Sequence, residues 1–585
     1  MYYFNKYYAS MQRVFLVLFV CICIQTGPAS AQTNKVAMKE LLKNAKDNFQ
    51  FGNFRAAQPF YEKLNNYKPG DPDINYSLGY CYLRANIQKE KAIEYLEFAD
   101  EFGEKLPPEI KFDLASLYHY MNRFNEAIAY YEQFINAEDG TPEIIEDAKL
   151  KIKMCENGIN MVKNPIEVKV ENLGKKVNSD YSDYAPLVTA DQKSIYFTSR
   201  RKGTTGGMID MNGEFFADIY MAYKKNNKWY KVKNIGRMVN GDMNEMTLAL
   251  SPNEQQMLIA VEDYAHLTTD IYVSPKRGRT WFKIELLGSK NVDIDTDLNS
   301  RKSETGATFT PDGTTLIFSS NRKDVNAQGG FDLYRAKQLP NGEWGLTTNL
   351  GPTINTEYDE EFPHLHTDGI TLYFSNNGPK SMGGHDIFKS TLNEFGEWSN
   401  PENLGYPTNS SEDDNQFVLT LDGKHGYFSS IRPKGYGAAD LYHVRMPRPE
   451  GVTASPNIYI SFIGHTYYDT TTVDIDSIIA ENYDDTLLIE KITSLVPVGT
   501  TITAFEAETN NTYGVYNSDP SNGKFIMILY PNKTYRLVAN FNGFETYQEE
   551  LTVEDNFEAD EPILIDKKII LKRIAGNSEE TDDSD

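Results

Sequence analysis

Between residues 218 and 442 the sequence repeats one triplet five times, an aspartate followed by an aliphatic and an aromatic residue: Asp218-Ile219-Tyr220, Asp270-Ile271-Tyr272, Asp332-Leu333-Tyr334, Asp386-Ile387-Phe388 and Asp440-Leu441-Tyr442. Apolar runs precede the triplets, often ending in aromatic-Ser, as in Ile317-Phe318-Ser319-Ser320 and Tyr427-Phe428-Ser429-Ser430. Turn signals such as Pro311-Asp312-Gly313, Asp368-Gly369 and Asp422-Gly423 open those runs. The four tryptophans, Trp229, Trp281, Trp344 and Trp398, each follow a signature Asp by 11 or 12 residues. Each leads into a Leu-Gly-type turn: Asn234-Ile235-Gly236, Leu286-Leu287-Gly288, Asn349-Leu350-Gly351 and Asn403-Leu404-Gly405. The fifth copy lacks both, while a spare turn, Asn172-Leu173-Gly174, stands ahead of the first.

Short strands repeated at this period build sheets that stack around an axis. The spacing predicts a five-bladed all-β propeller over residues 165–447. Ile166–Leu173 supplies the missing fourth strand of the last blade, which covers an otherwise open sheet edge. A degenerate sixth blade over 447–475 is the alternative. The signature aspartates are expected to tie tight turns to backbone N–H groups.

A second period lies upstream. Ala57, Ala92 and Ala127 are 35 residues apart, with Tyr61, Leu96 and Tyr131 and then Leu64, Ala99 and Phe134 in step. Small residues Ala45, Gly79 and Ala115 precede them, and prolines 69, 72, 107 and 108 punctuate the units. Residues 33–162 therefore read as three helix pairs and a capping helix from Pro142 to Met161. One such unit cannot bury its apolar face alone, so three stack. The expected function is a concave groove for a peptide or partner protein, against the reading of a spacer. Cys81 falls on the first helix of the second unit and Cys155 on the cap, too far apart to pair.

Ahead of the helices, Arg13, an apolar run from Val14 to Ile24 and Ala29-Ser30-Ala31 form a signal peptide over residues 1–31. The run is too short for a permanent span, and Val20 and Ile22 stand where lipidation of Cys21 or Cys23 would need a small residue. The chain is expected to be exported to the periplasm in association with the outer membrane, or to the cell surface. Its net charge of -25 repels phosphate backbones, so nucleic acid is not an expected partner. Envelope or secretion-system proteins are, with the cell wall or glycan reached indirectly. After a Met446-Pro447-Arg448-Pro449 linker, residues 455–574 alternate as strands, and residues 575–585 are an acidic tail expected to be disordered.

Sites of chemistry are sparse. The spacing of Asp293, Asp295, Asp297, Asn299 and Glu304 copies positions 1, 3, 5, 7 and 12 of a calcium loop. Leu298 stands where that loop wants glycine, so an acidic surface loop competes with calcium binding. No other cofactor is expected. Asp359-Glu360-Glu361 and Glu412-Asp413-Asp414 enter equivalent inner strands and should meet near one channel mouth, where a cation or basic partner segment could bind; solvated loop ends are the competing reading. His364 and His366 share a strand face without a third zinc ligand, so surface or packing roles are expected. Ser274-Pro275-Lys276-Arg277-Gly278-Arg279-Thr280-Trp281 is similar to the Asp box of sialidases, with Lys276 in place of the aspartate. No catalytic residue is assigned and the chain is not expected to be an enzyme.

The helical units resemble tetratricopeptide repeats, and the aspartate repeat resembles the WD-like repeats of TolB-type propellers. Gly523-Lys524-Phe525, Pro531-Asn532-Lys533-Thr534-Tyr535 and Gly543-Phe544 resemble the carboxypeptidase regulatory-like domain, a small seven-strand β-sandwich without chemistry of its own. Taken in order, the three resemble the PorE-like periplasmic proteins of the type IX secretion and gliding system. That resemblance implies an assembly subunit between outer membrane and wall. The family adds an OmpA-like C-terminal domain that grips peptidoglycan; this sequence stops before it, so direct peptidoglycan attachment is not among the expectations. A glycan-binding or sensing propeller is the alternative function, and a glycoside hydrolase the least expected.

Overall fold

A computed structural model describes residues 28–137, 140–210, 212–226, 228–263, 267–288, 298–393, 395–446, 460–469, 495–510, 512–518, 523–529, 533–553, 564–572 and 574. Residues 1–27, 447–459 and 575–585, on which most of the expected signal peptide, most of the expected linker and the expected acidic tail fall, lie outside them. Among the described residues no helix is long and apolar enough to cross a membrane.

Among the described residues seven α-helices come first: α1 (Pro28–Gln50), α2 (Phe54–Tyr67), α3 (Pro72–Ala85), α4 (Ala92–Phe102), α5 (Ile110–Tyr120), α6 (Phe124–Ala137) and α7 (Pro142–Lys163). Asn53 caps α2 by accepting the Ala56 N–H, and Asp71 caps α3 by accepting the Ile74 N–H with Pro72 in the first turn. The periodic alanines are fully buried, and Tyr61, Leu96, Tyr131 and Phe134 fill the space between units. A Cβ on Gly79 would stand 2.7 Å from the Leu96 side chain, so α3 approaches α4 more closely than any larger residue permits. Cys81 and Cys155 are buried free thiols, as their placement predicts, and burial pushes both up to about 12.

After α7 comes the short strand β1 (Val170–Asn172), followed by five antiparallel sheets. The first holds β2 (Asp183–Val188), β3 (Ser194–Ser199), β4 (Asp218–Lys225) and the fragments β5 (Lys228–Trp229) and β6 (Lys233–Asn234). The second holds β7 (Glu245–Leu250), β8 (Gln256–Asp263), β9 (Thr268–Arg277), β10 (Thr280–Trp281) and β11 (Glu285–Leu286). The third is β12 (Glu304–Phe309), β13 (Thr315–Ser320), β14 (Asp332–Gln338) and β15 (Trp344–Asn349); the fourth is β16 (Glu360–Leu365), β17 (Thr371–Asn376), β18 (Asp386–Thr391) and β19 (Glu402–Asn403). The fifth, β20 (Asp414–Leu419), β21 (His425–Ser430) and β22 (Asp440–Arg445), takes β1 as its outer strand.

The innermost strands β2, β7, β12, β16 and β20 touch in that order, and β20 returns to β2, so the sheets close a ring. Closure uses Val170, Glu171 and Asn172 against Val444, His443 and Tyr442. The leading segment thus covers the edge of β22 as its spare turn element predicts. The tryptophans fasten neighbouring sheets. Trp281 of the second sheet stands edge-on to Tyr196 of the first at 5.6 Å, and Trp229 shares a cluster with Tyr427 and Leu441 of the fifth.

The last region holds two sheets. One contains β23 (Ile460–Asp469), β24 (Leu495–Pro497), β27 (Lys524–Leu529) and β30 (Leu564–Leu571); the other contains β25 (Thr501–Glu506), β26 (Thr512–Asn517), β28 (Lys533–Asn540) and β29 (Tyr547–Val553). Phe525 and Met527 of one sheet share a buried cluster with Ile502, Leu537 and Ala539 of the other. Eight strands are described where the resemblance implies seven, and β23 with β30 forms a parallel pair. Ile460–Asp469, inside the stretch considered for a sixth blade, pairs within these sheets instead.

Candidate functional site

The signature aspartates are turn anchors. Asp332 accepts the Gln328 and Gly329 N–H groups, and Asp440 those of Tyr436 and Gly437. The Leu-Gly-turn asparagine donates to the same carboxylate at 2.5–2.8 Å in four sheets: Asn234 to Asp218, Asn349 to Asp332, Asn403 to Asp386 and Asn172 to Asp440. A second asparagine completes each circuit. Asn178, Asn240, Asn355 and Asn409 each accept the N–H of the aliphatic residue after the signature Asp.

Asn299, a residue of the candidate calcium loop, is the second-sheet copy of that asparagine. It accepts the Ile271 N–H at 2.7 Å and donates to Ile271 O and Leu287 O. Glu304 is likewise engaged, by Arg322 at 3.0 Å and by the hydroxyls of Ser300 and Ser320. Leu298, just ahead of Asn299, is fully buried. Asp293, Asp295 and Asp297 lie outside the described residues. Among the described residues no group of three or more His, Cys, Asp or Glu side chains is arranged to hold a metal.

Glu304 belongs to a ring of five buried carboxylates at the starts of the inner strands: Asp183, Glu245, Glu304, Glu360 and Asp414. Three of them pair with an arginine 18 residues on, Arg201, Arg322 or Arg432, at 2.5–3.0 Å. Each guanidinium stands about 5 Å from two aromatic rings, for Arg432 those of Phe428 and Tyr442. The sequence reading missed these pairs, although the constant spacing was available as a signal. In the fourth sheet Gly378 stands at the arginine position, and Asn376, opposite Glu360, donates to it at 2.5 Å. In the second sheet Val261 faces Glu245 where three sheets place serine and the fourth asparagine, and Glu245 Oε2 is buried without a partner. Burial pushes Glu245 up to about 8 and Glu360 to about 7.

The two acidic clusters are brought together by His385, which lies 3.5 Å from Glu361 and 3.3 Å from Asp413. Burial opposes the Asp413 charge, but the hydrogen bonds and charge of His385 outweigh it and hold that carboxyl at about 2. Burial lowers His385, and Asp413 with Glu361 more than restore it. Within these clusters Glu360 and Asp414 are fully buried beneath their turns, while the Asp413 side chain stays 46% exposed. His366 is buried and His364 half-buried, so neither is superficial. His364 accepts the Leu419 N–H at 3.1 Å, and His366 sits 3.4 Å from Asp368. Around the axis, Ala185, Gly306, Phe362 and Gln416 line a space of only 20 Å³. Residues 274–281 form a hairpin in which Lys276 lies over the Trp281 ring at 4.9 Å.

The helical stack is docked on the ring. Asn157 of α7 donates to Pro379 O and Ser381 O at 2.7 and 2.9 Å, and His119 of α5 contacts Met382 O at 2.7 Å. The Met382 side chain is fully buried within the helical core cluster. Ser411 donates to Tyr120 O, and Lys89 reaches Glu412 at 2.6 Å. Arg55 of α2 lies over Tyr181 at 3.9 Å and donates to Asp180 O. Lys89 thus pairs in cis with Glu412 of the second acidic cluster, and part of the helical surface expected to receive another protein is covered by ring loops.

Residues 108–139, spanning α5 and α6, match the family model of the tetratricopeptide repeat. None of the curated proteins matches the chain. Among solved structures, a glycoside hydrolase is similar at 11% identity over 51% of this chain and 98% of that one, with a TM-score of 0.36. A TolB from Agrobacterium tumefaciens is similar at 13% identity over 48% and 98%, with a TM-score of 0.26. An endo-arabinase from Bacteroides thetaiotaomicron is similar at 13% identity over 47% and 99%, with a TM-score of 0.31. Likeness at these scores bears on neither chemistry nor substrate.

Proposed function

We propose that this chain is a non-enzymatic, protein-binding scaffold of the bacterial cell envelope, built as a tetratricopeptide solenoid, a five-bladed propeller and a small regulatory-like sandwich. The seam between helices and ring carries this reading. Side chains from α2, α5 and α7 and from the turn after α3 grip backbone carbonyls and carboxylates of the ring, which makes two binding folds into one composite surface. A repeat whose use is protein contact, held rigidly against a ring of loops, suits an assembly subunit. The ionisable groups of the ring support the same reading, since Asp332, Glu304, Asp413 and Asp440 are committed to turns and ion pairs.

The finer assignment is a PorE-like subunit of type IX secretion in the periplasm, associated with the outer membrane. Its support is the order of the three modules together with the signal peptide. Affinity purification of tagged protein from solubilised outer membranes tests it: a stoichiometric membrane-protein partner is expected. Recovery of the chain alone, with retention on a glycan array, would favour the glycan-binding alternative. Turnover of a glycoside, abolished by one substitution in the ring, would establish a hydrolase instead.

A further inference from the structure

Between the helical stack and the ring lies a cavity of about 390 Å³, walled by α3, α5 and α7 on one side and by residues 384 and 411–413 on the other. It reaches solvent at Arg84, whose side chain is 46% exposed. Asp113 of α5 lines it and is 1% exposed, yet only one of its oxygens is engaged, by Arg84 at 3.3 Å. Asp113 Oδ2 is buried with no partner. Leaving such an oxygen desolvated is costly, on the order of 1–3 kcal/mol or more for a charged group. The charges on the walls are unequal too: Asp113, Asp147, Glu412 and Asp413 face Arg84, Lys89 and Lys151. Lys89 and Glu412 neutralise each other at 2.6 Å. By formal charge the walls carry one more acidic group than basic ones, and Asp113 Oδ2 lacks a hydrogen-bond donor.

We propose that this cavity is a receptor for a single lysine or arginine side chain of a partner protein, whose charged head bonds Asp113 Oδ2 between the helical stack and the ring. The proposal rests on the scaffold reading and names the chemistry of its partner. Burial pushes Asp113 up to about 7 despite the nearby Arg84, as expected of a carboxylate short of a second cation. Asp147 and Asp413, on the two remaining walls, add long-range attraction for the same charge. Lys151 opposes it and sets the modest strength of a lone side chain.

Isothermal titration of the whole protein with acetyl-Gly-Arg-Gly-amide, against the same peptide carrying citrulline, tests this directly. The arginine peptide is expected to bind and the neutral one not. Asp113→Asn should weaken binding at least tenfold, and Lys151→Met, which removes a competing cation, should tighten it severalfold. Should Asp113→Asn fail to fold, Asp147→Asn on the more exposed wall is expected to weaken binding about threefold. Equal binding of the citrulline peptide, an unchanged Asp113→Asn, or no binding at millimolar peptide overturns the proposal and leaves a water-filled seam. If Asp113→Asn still captures the membrane partner as well as the native chain does, the receptor falls and the scaffold stands. If the native chain captures none, the scaffold falls whatever the titration reads.

Discussion

Asn172, in the first strand of the ring, donates its amide to the carboxylate of Asp440, 268 residues later, at 2.8 Å. The same contact recurs within three other sheets, but only here does it join the two ends of the ring. The companion Asn178 accepts the Leu441 N–H and donates to Leu441 O. Asn178→Ala strands these backbone groups in a dry site and should cost about 2–4 kcal/mol. Urea unfolding is expected to give Asn178→Ala and Asn355→Ala similar losses, because both asparagines make the same bonds. A loss confined to Asn355→Ala would mean that the ring is not held shut by its leading segment.

Glu245 gives the ring a pH dependence of its own. Its usual value is 4.5, and in the fold burial raises it to about 8. The folded protein keeps a proton that the unfolded chain releases between these values. The group's stabilising contribution is therefore complete below pH 4.5 and is lost as pH rises through 8. Glu245→Gln removes the slope and should gain roughly 2–4 kcal/mol relative to the native protein on going from pH 5 to pH 8.5. Denaturant midpoints at the two pH values check this.

The helical stack and ring should melt together because Met382 and the bonds of His119 and Asn157 couple them. Met382→Asp puts a carboxylate into the helical core, a loss on the order of 3–5 kcal/mol that falls on the seam. Calorimetry is expected to resolve separate transitions for the variant, and hydrogen exchange to rise in α5 and α7.

Cys81 and Cys155 should resist maleimide in the folded protein, since burial holds both thiols at about 12. Both should label in denaturant. Labelling of either in native buffer would mean that the units around α3 and α7 open locally.

Much of this architecture was legible because it repeats. The alanines at 57, 92 and 127 exposed the helix pairs, and the spare Asn172-Leu173-Gly174 announced a strand without a sheet of its own. The carboxylate–arginine pairs repeat as faithfully, yet a lone Arg201 or Arg432 among surface-like charges gives no sign of being buried until the strands bring it over an aromatic pair. Asn299 and Glu304 fit an ion-binding spacing, yet nothing in the sequence signals that the ring also uses these two residues in its own turns and ion pairs. The seam was beyond sequence reasoning. Met382 lies 263 positions from His119 and also far from Asn157, and no periodicity links them.

The account depends on helices and ring moving as one body. With the native thiols unreactive, spin labels at Lys153→Cys on α7 and Val325→Cys on the ring, both at exposed positions, report it directly. Pulsed electron resonance is predicted to give one narrow distance distribution, unchanged when partner is added. A broad or bimodal distribution would contradict a composite surface and return the helices to the role of a swinging spacer.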